Sequence, residues 1–149
     1  MRVNDVLFWC LLSTALTAAA GLAHLYALPN KLRLKWQEYL TVQQIYRGWA
    51  LLGIVVIGAV ILNLMLAIEL RDHGSVFLLA LAAFLCTLAS QVLFWLYTFP
   101  VNRVTKNWTV VPADWLRLRS QWEYSHAAGA ILDLAALILL FLVALTRWR

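Results

Sequence analysis

Four separate runs of apolar residues constrain this chain more than any other feature. They cover 6–28, 48–70, 75–99 and 126–146, each close to the ~20 residues that a helix needs to cross a hydrocarbon layer. Hydrophobic residues make up 64% of the chain against 13% charged, which leaves little polar surface to solvate such runs in water. In lipid each backbone N–H and C=O must find its partner within the segment, so the runs are expected to be helices. The reading is an all-α integral membrane four-helix bundle, a single four-span transmembrane domain over residues 1–149.

The first run ends in "TAAAGLAH", which has the small residues of a signal-peptide cleavage site. The leading "MRVND" carries no net positive charge, however, and the apolar stretch is long for a leader. The run is therefore kept as a helix, and Ser13, Ala15, Ala18, Ala19, Ala20 and Gly21 are read as a surface for close helix contact.

Four spans place both termini and the "RDHG" turn on one side, with the two long connections on the other. The terminal side carries Arg2, Arg71, Arg147 and Arg149; the long connections carry Lys31, Arg33, Lys35, Arg47, Arg103, Lys106, Arg117 and Arg119. The bias of Lys and Arg toward the inside puts the long loops in the cytoplasm and both termini outside, as in a bacterial inner membrane. The net charge of +5 is then accounted for by topology and attraction to anionic lipid, and no nucleic-acid module is visible. Asn107-Trp108-Thr109 matches a glycosylation acceptor, which carries no meaning on a cytoplasmic loop. Cys10 and Cys86 fall at different depths and are not expected to pair.

Aromatic residues crowd the end with the long loops. All five tyrosines and six of the eight tryptophans fall there, leaving Trp9 and Trp148 opposite. A membrane-interface belt would furnish both ends. The surplus fits an aromatic-lined pocket for a hydrophobic small molecule. In the first long loop Leu32, Trp36, Tyr39 and Gln43 follow helical spacing, as in a helix lying on the interface. In the second, the pattern from Trp115 runs without a breaker into the last span, so the fourth helix is expected to extend beyond the lipid.

Polar residues inside the runs form two layers at that same end. His24 and His126 lie at similar height, with Thr17, Gln91 and Asp133 about 10 Å deeper at 1.5 Å per residue. Asn63, near the other end, reads as an interhelical hydrogen bond. Glu123, His126 and Asp133 share roughly one face of the last helix. A carboxylate in hydrocarbon costs several kcal/mol unless paired or protonated, so Asp133 points to a site or a partner. Glu123-x-x-His126 has the spacing with which bundles chelate metals, but the di-iron class needs the motif twice. A mononuclear site from His24, Glu123 and His126 and a haem between two histidines are the metal alternatives. The metal-free reading uses a histidine as general base with cations and amides stabilising the anion.

The stretch "TFPVNRVTKNWTVVPADWLRLRSQWEYSHA", together with "HLYALP" at the end of the first run, resembles the anthrone oxygenase-like family of small four-helix membrane proteins. The matching positions are His24, Pro100, Asn102, Asn107, Trp108, Trp115, Arg119, Trp122 and His126. The resemblance implies cofactor-independent oxidation of an anthrone- or quinol-like aromatic by molecular oxygen. His126 would remove a proton, with Glu123 orienting it, His24 beside it and Asp133 relaying or storing protons. Arg119, Arg103, Asn102 or Arg47 would stabilise the enolate, and Trp108, Trp122, Tyr46 and Trp95 would hold the ring. The rival readings are a non-catalytic accessory subunit of a membrane complex or homo-oligomer, a lipophile-binding protein, and a haem- or metal-binding redox protein.

Overall fold

The computed structural model describes residues 2–146. The terminal charges Arg147 and Arg149 and the ring of Trp148 lie outside the described residues. Within them the chain is all-helical: α1 (Val3–Lys31), α2 (Trp36–Gln43), α3 (Leu52–Glu69), α4 (Ser75–Leu93), α5 (Phe99–Val104) and α6 (Trp115–Thr146). Four segments are long and apolar enough to cross a membrane: Val3–Lys31, Trp49–Glu69, Ser75–Val104 and Trp115–Thr146. The four long helices pack as a ring, α6 against α1 and α4, and α3 against the same two.

The sequence signals at the helix ends explain most of these boundaries. Asp5 accepts from the Arg2 N–H at 3.0 Å and Glu38 accepts from the Lys35 N–H at 2.9 Å, so a carboxylate sits on the positive end of α1 and of α2. α6 starts at Trp115, well before the last apolar run, as expected for an extended fourth helix. Two boundaries differ from expectation. α1 does not stop before Pro29 but runs on to Lys31, because a proline in the final turn forfeits one hydrogen bond and its ring lies exposed. The third span passes through a π-turn at Phe94–Thr98 and continues as α5, with Pro100 inside it. Proline has no N–H to donate to the i−4 carbonyl and its ring crowds that carbonyl, and a locally widened turn carries the helix past it.

Packing divides by height. Toward the termini Val6, Cys10, Leu66, Ala80, Ala136 and Leu140 form an aliphatic core of small and branched side chains. There Asn63 donates to the Thr14 hydroxyl at 3.2 Å, tying α3 to α1 as expected. Cys10 and Cys86 are both free thiols. At the other end Tyr39, Val101, Trp108, Leu118 and Trp122 form a second, aromatic core. Between the two, α1 and α6 approach so closely that a Cβ on Gly21 would meet Ala130 at 3.1 Å. The small-residue surface read from the sequence lies at this crossing.

Candidate functional site

The close crossing at Gly21 and Ala130 places His24, one turn further along α1, against His126, one turn back along α6. Their rings lie 4.5 Å apart, tilted by 35°. Tyr46 covers His24 at 4.3 Å, Trp49 meets it edge-on at 5.6 Å, and Trp122 lies 5.1 Å from His24 and 4.0 Å from His126. The loop can deliver both Tyr46 and Trp49 because Gly48 turns the chain at φ 84°, a conformation that costs other residues ~1–2 kcal/mol.

Beside the histidines sits a buried ion pair. Lys31 is 3% exposed, and its ammonium lies 2.7 Å from Glu123 Oε2. Tyr39 donates its hydroxyl to Glu123 Oε1 at 2.9 Å, and Gln43 reaches the same oxygen at 3.5 Å. Lys31 also lies 3.4 Å from His24 Nδ1 and over the faces of Trp122 and Tyr46, at 5.1 and 5.4 Å. An ion pair out of water is tolerated only where further hydrogen bonds satisfy its remaining oxygens, which is what Tyr39 and Gln43 supply. Burial, reinforced by the Glu123 charge, pushes the Tyr39 phenol well above its ordinary range and Tyr46 up to about 12. Both remain O–H donors at neutral pH.

Several sequence expectations are corrected here. Glu123 does not orient His126; its carboxylate is committed to Lys31, Tyr39 and Gln43, and His126 Nδ1 instead meets the Trp122 carbonyl at 2.9 Å. The same commitment removes the mononuclear set of His24, Glu123 and His126, and among the described residues no group of three His, Cys, Asp or Glu side chains converges as metal ligands. The two imidazoles lie against each other, 4.5 Å apart and tilted by 35°. Arg119 is engaged through Nη1, while its Nε has no hydrogen-bond partner among the described residues. Its guanidinium donates to the Leu34 carbonyl at 2.8 Å and the Lys31 carbonyl at 3.5 Å and stacks on Trp115 at 4.7 Å, closing the C-terminal end of α1. Asn102 Oδ1 accepts from Trp122 Nε1 at 2.8 Å, which fixes the indole against the histidines.

Trp108 is a wall of the aromatic core, 2% exposed and edge-on to Tyr39 at 4.8 Å. Reaching that position requires left-handed backbone at Lys106, Asn107 and Trp108, with φ of 46°, 55° and 59°. Such residues cost ~1–2 kcal/mol each, and the turn is held by Trp108 N–H donating to Thr105 Oγ1 at 3.1 Å and Asn107 N–H donating to the Asn102 carbonyl at 2.8 Å. Arg47 and Arg103 are exposed at this end of the molecule, and neither is hydrogen-bonded or ion-paired through its side chain among the described residues. Trp95 lies away from the cluster and is 53% exposed. It borders a groove of about 370 Å³ on the outer face between α3 and α4, lined by Ile57, Val60, Ile61, Leu88 and Gln91 among others.

The deeper polar layer differs by one residue. Asp133 is buried and accepts from Ser90 Oγ at 3.1 Å, whereas Gln91, a 100° rotation away on the helix, turns to the α3 groove. Thr17 spends its hydroxyl on the Ser13 carbonyl of its own helix. Sequence reasoning also missed Lys31, Tyr39, Gln43 and Ser90 as site residues. Lys31 is seven residues after His24 and so on its face, a signal hidden by ending the helix at Pro29. Tyr39 and Gln43 were legible as one helix face, but that face is buried on Glu123 instead of lying free at an interface.

Fold and cluster together define a class, an all-helical chain with four span-length apolar helices whose polar interior is concentrated at one end. No protein-family model matches the chain, and no curated protein or solved structure matches it.

Proposed function

We propose that the chain is an integral membrane four-helix bundle, with its long loops on the cytoplasmic side, that carries a proton-transfer site of the anthrone oxygenase-like kind. The observation that carries this reading is the setting of His126. Its Nδ1 lies 2.9 Å from the Trp122 carbonyl, which can only accept, so the ring is protonated at Nδ1 and Nε2 keeps its lone pair. Among the described residues Nε2 has no hydrogen-bond partner, and the ring is only partly buried. That is the condition of a general base.

The aromatic side chains around the pair suit a planar hydrophobic substrate. His126 removes a proton from the activated methylene of a phenolic ketone, and the resulting enolate passes electrons to molecular oxygen. One oxygen atom ends in the new carbonyl and the other in water, so methylene plus O₂ gives ketone plus water with no further reductant. The cation nearest the histidines is Lys31, 3.4 Å from His24 Nδ1, and its charge favours an anion formed beside the pair, a role the resemblance gives to Arg119, Arg103, Asn102 or Arg47. Asp133, on the same helix as His126 and hydrogen-bonded to Ser90, supports a store for the released proton.

The test is oxygen uptake and quinone absorbance by the purified protein supplied with an anthrone, wild type against His126→Ala. Uptake that is equal in the two, or absent from both across a panel of anthrones and quinols, overturns the reading.

A second reading is a lipophile-binding protein, favoured by the α3–α4 groove. It is apolar except for Gln91, whose amide has no partner among the described residues, and Trp95 borders it. Displacement of a lipophilic fluorophore that depends on Gln91 and Trp95 but not on His126 favours this alternative.

A further inference from the structure

The two stacked imidazoles occupy opposite hydrogen-bonding environments. His126 Nδ1 faces a backbone carbonyl at 2.9 Å. His24 Nδ1 faces the Lys31 ammonium at 3.4 Å. A carbonyl can only accept a hydrogen bond and an ammonium can only donate one. In neutral rings the first contact puts the proton on Nδ1 and the second removes it from Nδ1.

We infer that Lys31 is a positioning residue that holds His24 in the tautomer opposite to that of His126, so that His24 offers a proton at Nε2 while His126 accepts one there. The pair is thereby divided into a donor and an acceptor, which two identical side chains cannot achieve by themselves. This rests on the reading of the pair as the proton-handling site, and it names the residue that makes the division.

Three features make Lys31 suited to the task. Its ammonium is anchored at 2.7 Å by Glu123, which is itself held by Tyr39, so the lysine cannot swing away from His24. It is 3% exposed, so water does not compete for Nδ1. The Arg119 guanidinium grips the backbone carbonyl of Lys31, at 3.5 Å, and that of Leu34, at 2.8 Å, and fixes the last turn of α1 on which the lysine stands.

The experiment is ¹⁵N spectroscopy of the histidine side chains in the full chain, labelled at histidine and reconstituted in lipid, at about pH 8, above the ordinary imidazole pKa of ~6.5. The third histidine, His73, is removed by His73→Gln, and His126→Asn assigns the remaining pair. The expected spectrum has His24 protonated at Nε2 and His126 at Nδ1. Lys31→Met, which keeps the stem and loses the donor, should turn His24 into a mixture of tautomers and leave His126 as it was. Should that variant fold poorly because Glu123 is left unpaired, the double change Lys31→Met with Glu123→Leu removes both charges and is read in the same way. Protonation of His24 at Nδ1 in the wild type overturns the inference, as does an unaltered His24 signal in the folded variants. The spectra need no substrate, so tautomers as expected alongside full turnover by His126→Ala would reject the functional reading and leave the role of Lys31 intact.

Discussion

The imidazoles of His24 and His126 stack at 4.5 Å because Gly21 and Ala130, about one turn away on the same two helices, leave no room for anything between α1 and α6. The stack is therefore a product of helix spacing. A Cβ on Gly21 would already be 3.1 Å from Ala130 backbone and side-chain carbon, tighter than ordinary contact. Gly21→Val is expected to push the helices apart, costing about 1–3 kcal/mol as an overpacked core does. It should lower the unfolding midpoint and weaken any property of the histidine pair. A variant with wild-type stability and an unaltered pair would show that the crossing does not set the stack.

Removal of one partner of the Lys31–Glu123 pair should be far worse than removal of both. Lys31→Met or Glu123→Leu alone leaves an uncompensated buried charge, with an expected loss of ~3–5 kcal/mol. The double variant should recover much of that loss, short of the hydrogen bonds from Tyr39 and Gln43. Denaturant unfolding in detergent across the four proteins checks this, and strict additivity of the single losses would contradict it.

His126→Ala should reduce turnover by ~10²–10⁴ while the helical content stays as in the wild type. Glu123→Gln should act differently, mainly on stability, because Glu123 contacts Lys31 and Tyr39 and not His126. Equal catalytic losses at matched stability would return Glu123 to the role of orienting the imidazole.

Asp133→Asn keeps an oxygen to accept the Ser90 hydroxyl and removes the ionisable proton. A proton store should then lose activity with little change in melting temperature, and Ser90→Ala should be milder in activity. Loss of stability ahead of activity would make Asp133 a structural partner of α4.

Lys35 and Lys106 are both exposed at the end carrying the long loops. With Cys10 and Cys86 replaced by alanine, cysteines at these two positions should react only with reagents that reach the cytoplasm, given the surplus of positive residues on these loops. Reaction from outside intact cells would invert the topology and the compartment of the histidine pair.

Hydrophobic run length, together with the obligation of backbone groups to pair, determined the four long helices, their order and the height of each polar residue along its own helix. Height alone was enough to anticipate that His24 and His126 share a layer and that Asn63 bonds across helices. Rotation about the helix axes was decided only in the folded chain. A shift of 100° selects Ser90 over Gln91 as the partner of Asp133, and periodicity is too coarse to settle it where helices are apolar nearly all round. The largest departure is Lys31. In sequence it is one of several loop cations past a proline, and it becomes the centre of the site because α1 runs on past Pro29 while α2 folds back to bring Tyr39 and Gln43 over Glu123. Which charge a carboxylate selects depends on which elements meet around it, and that is a property of packing, not of composition or spacing.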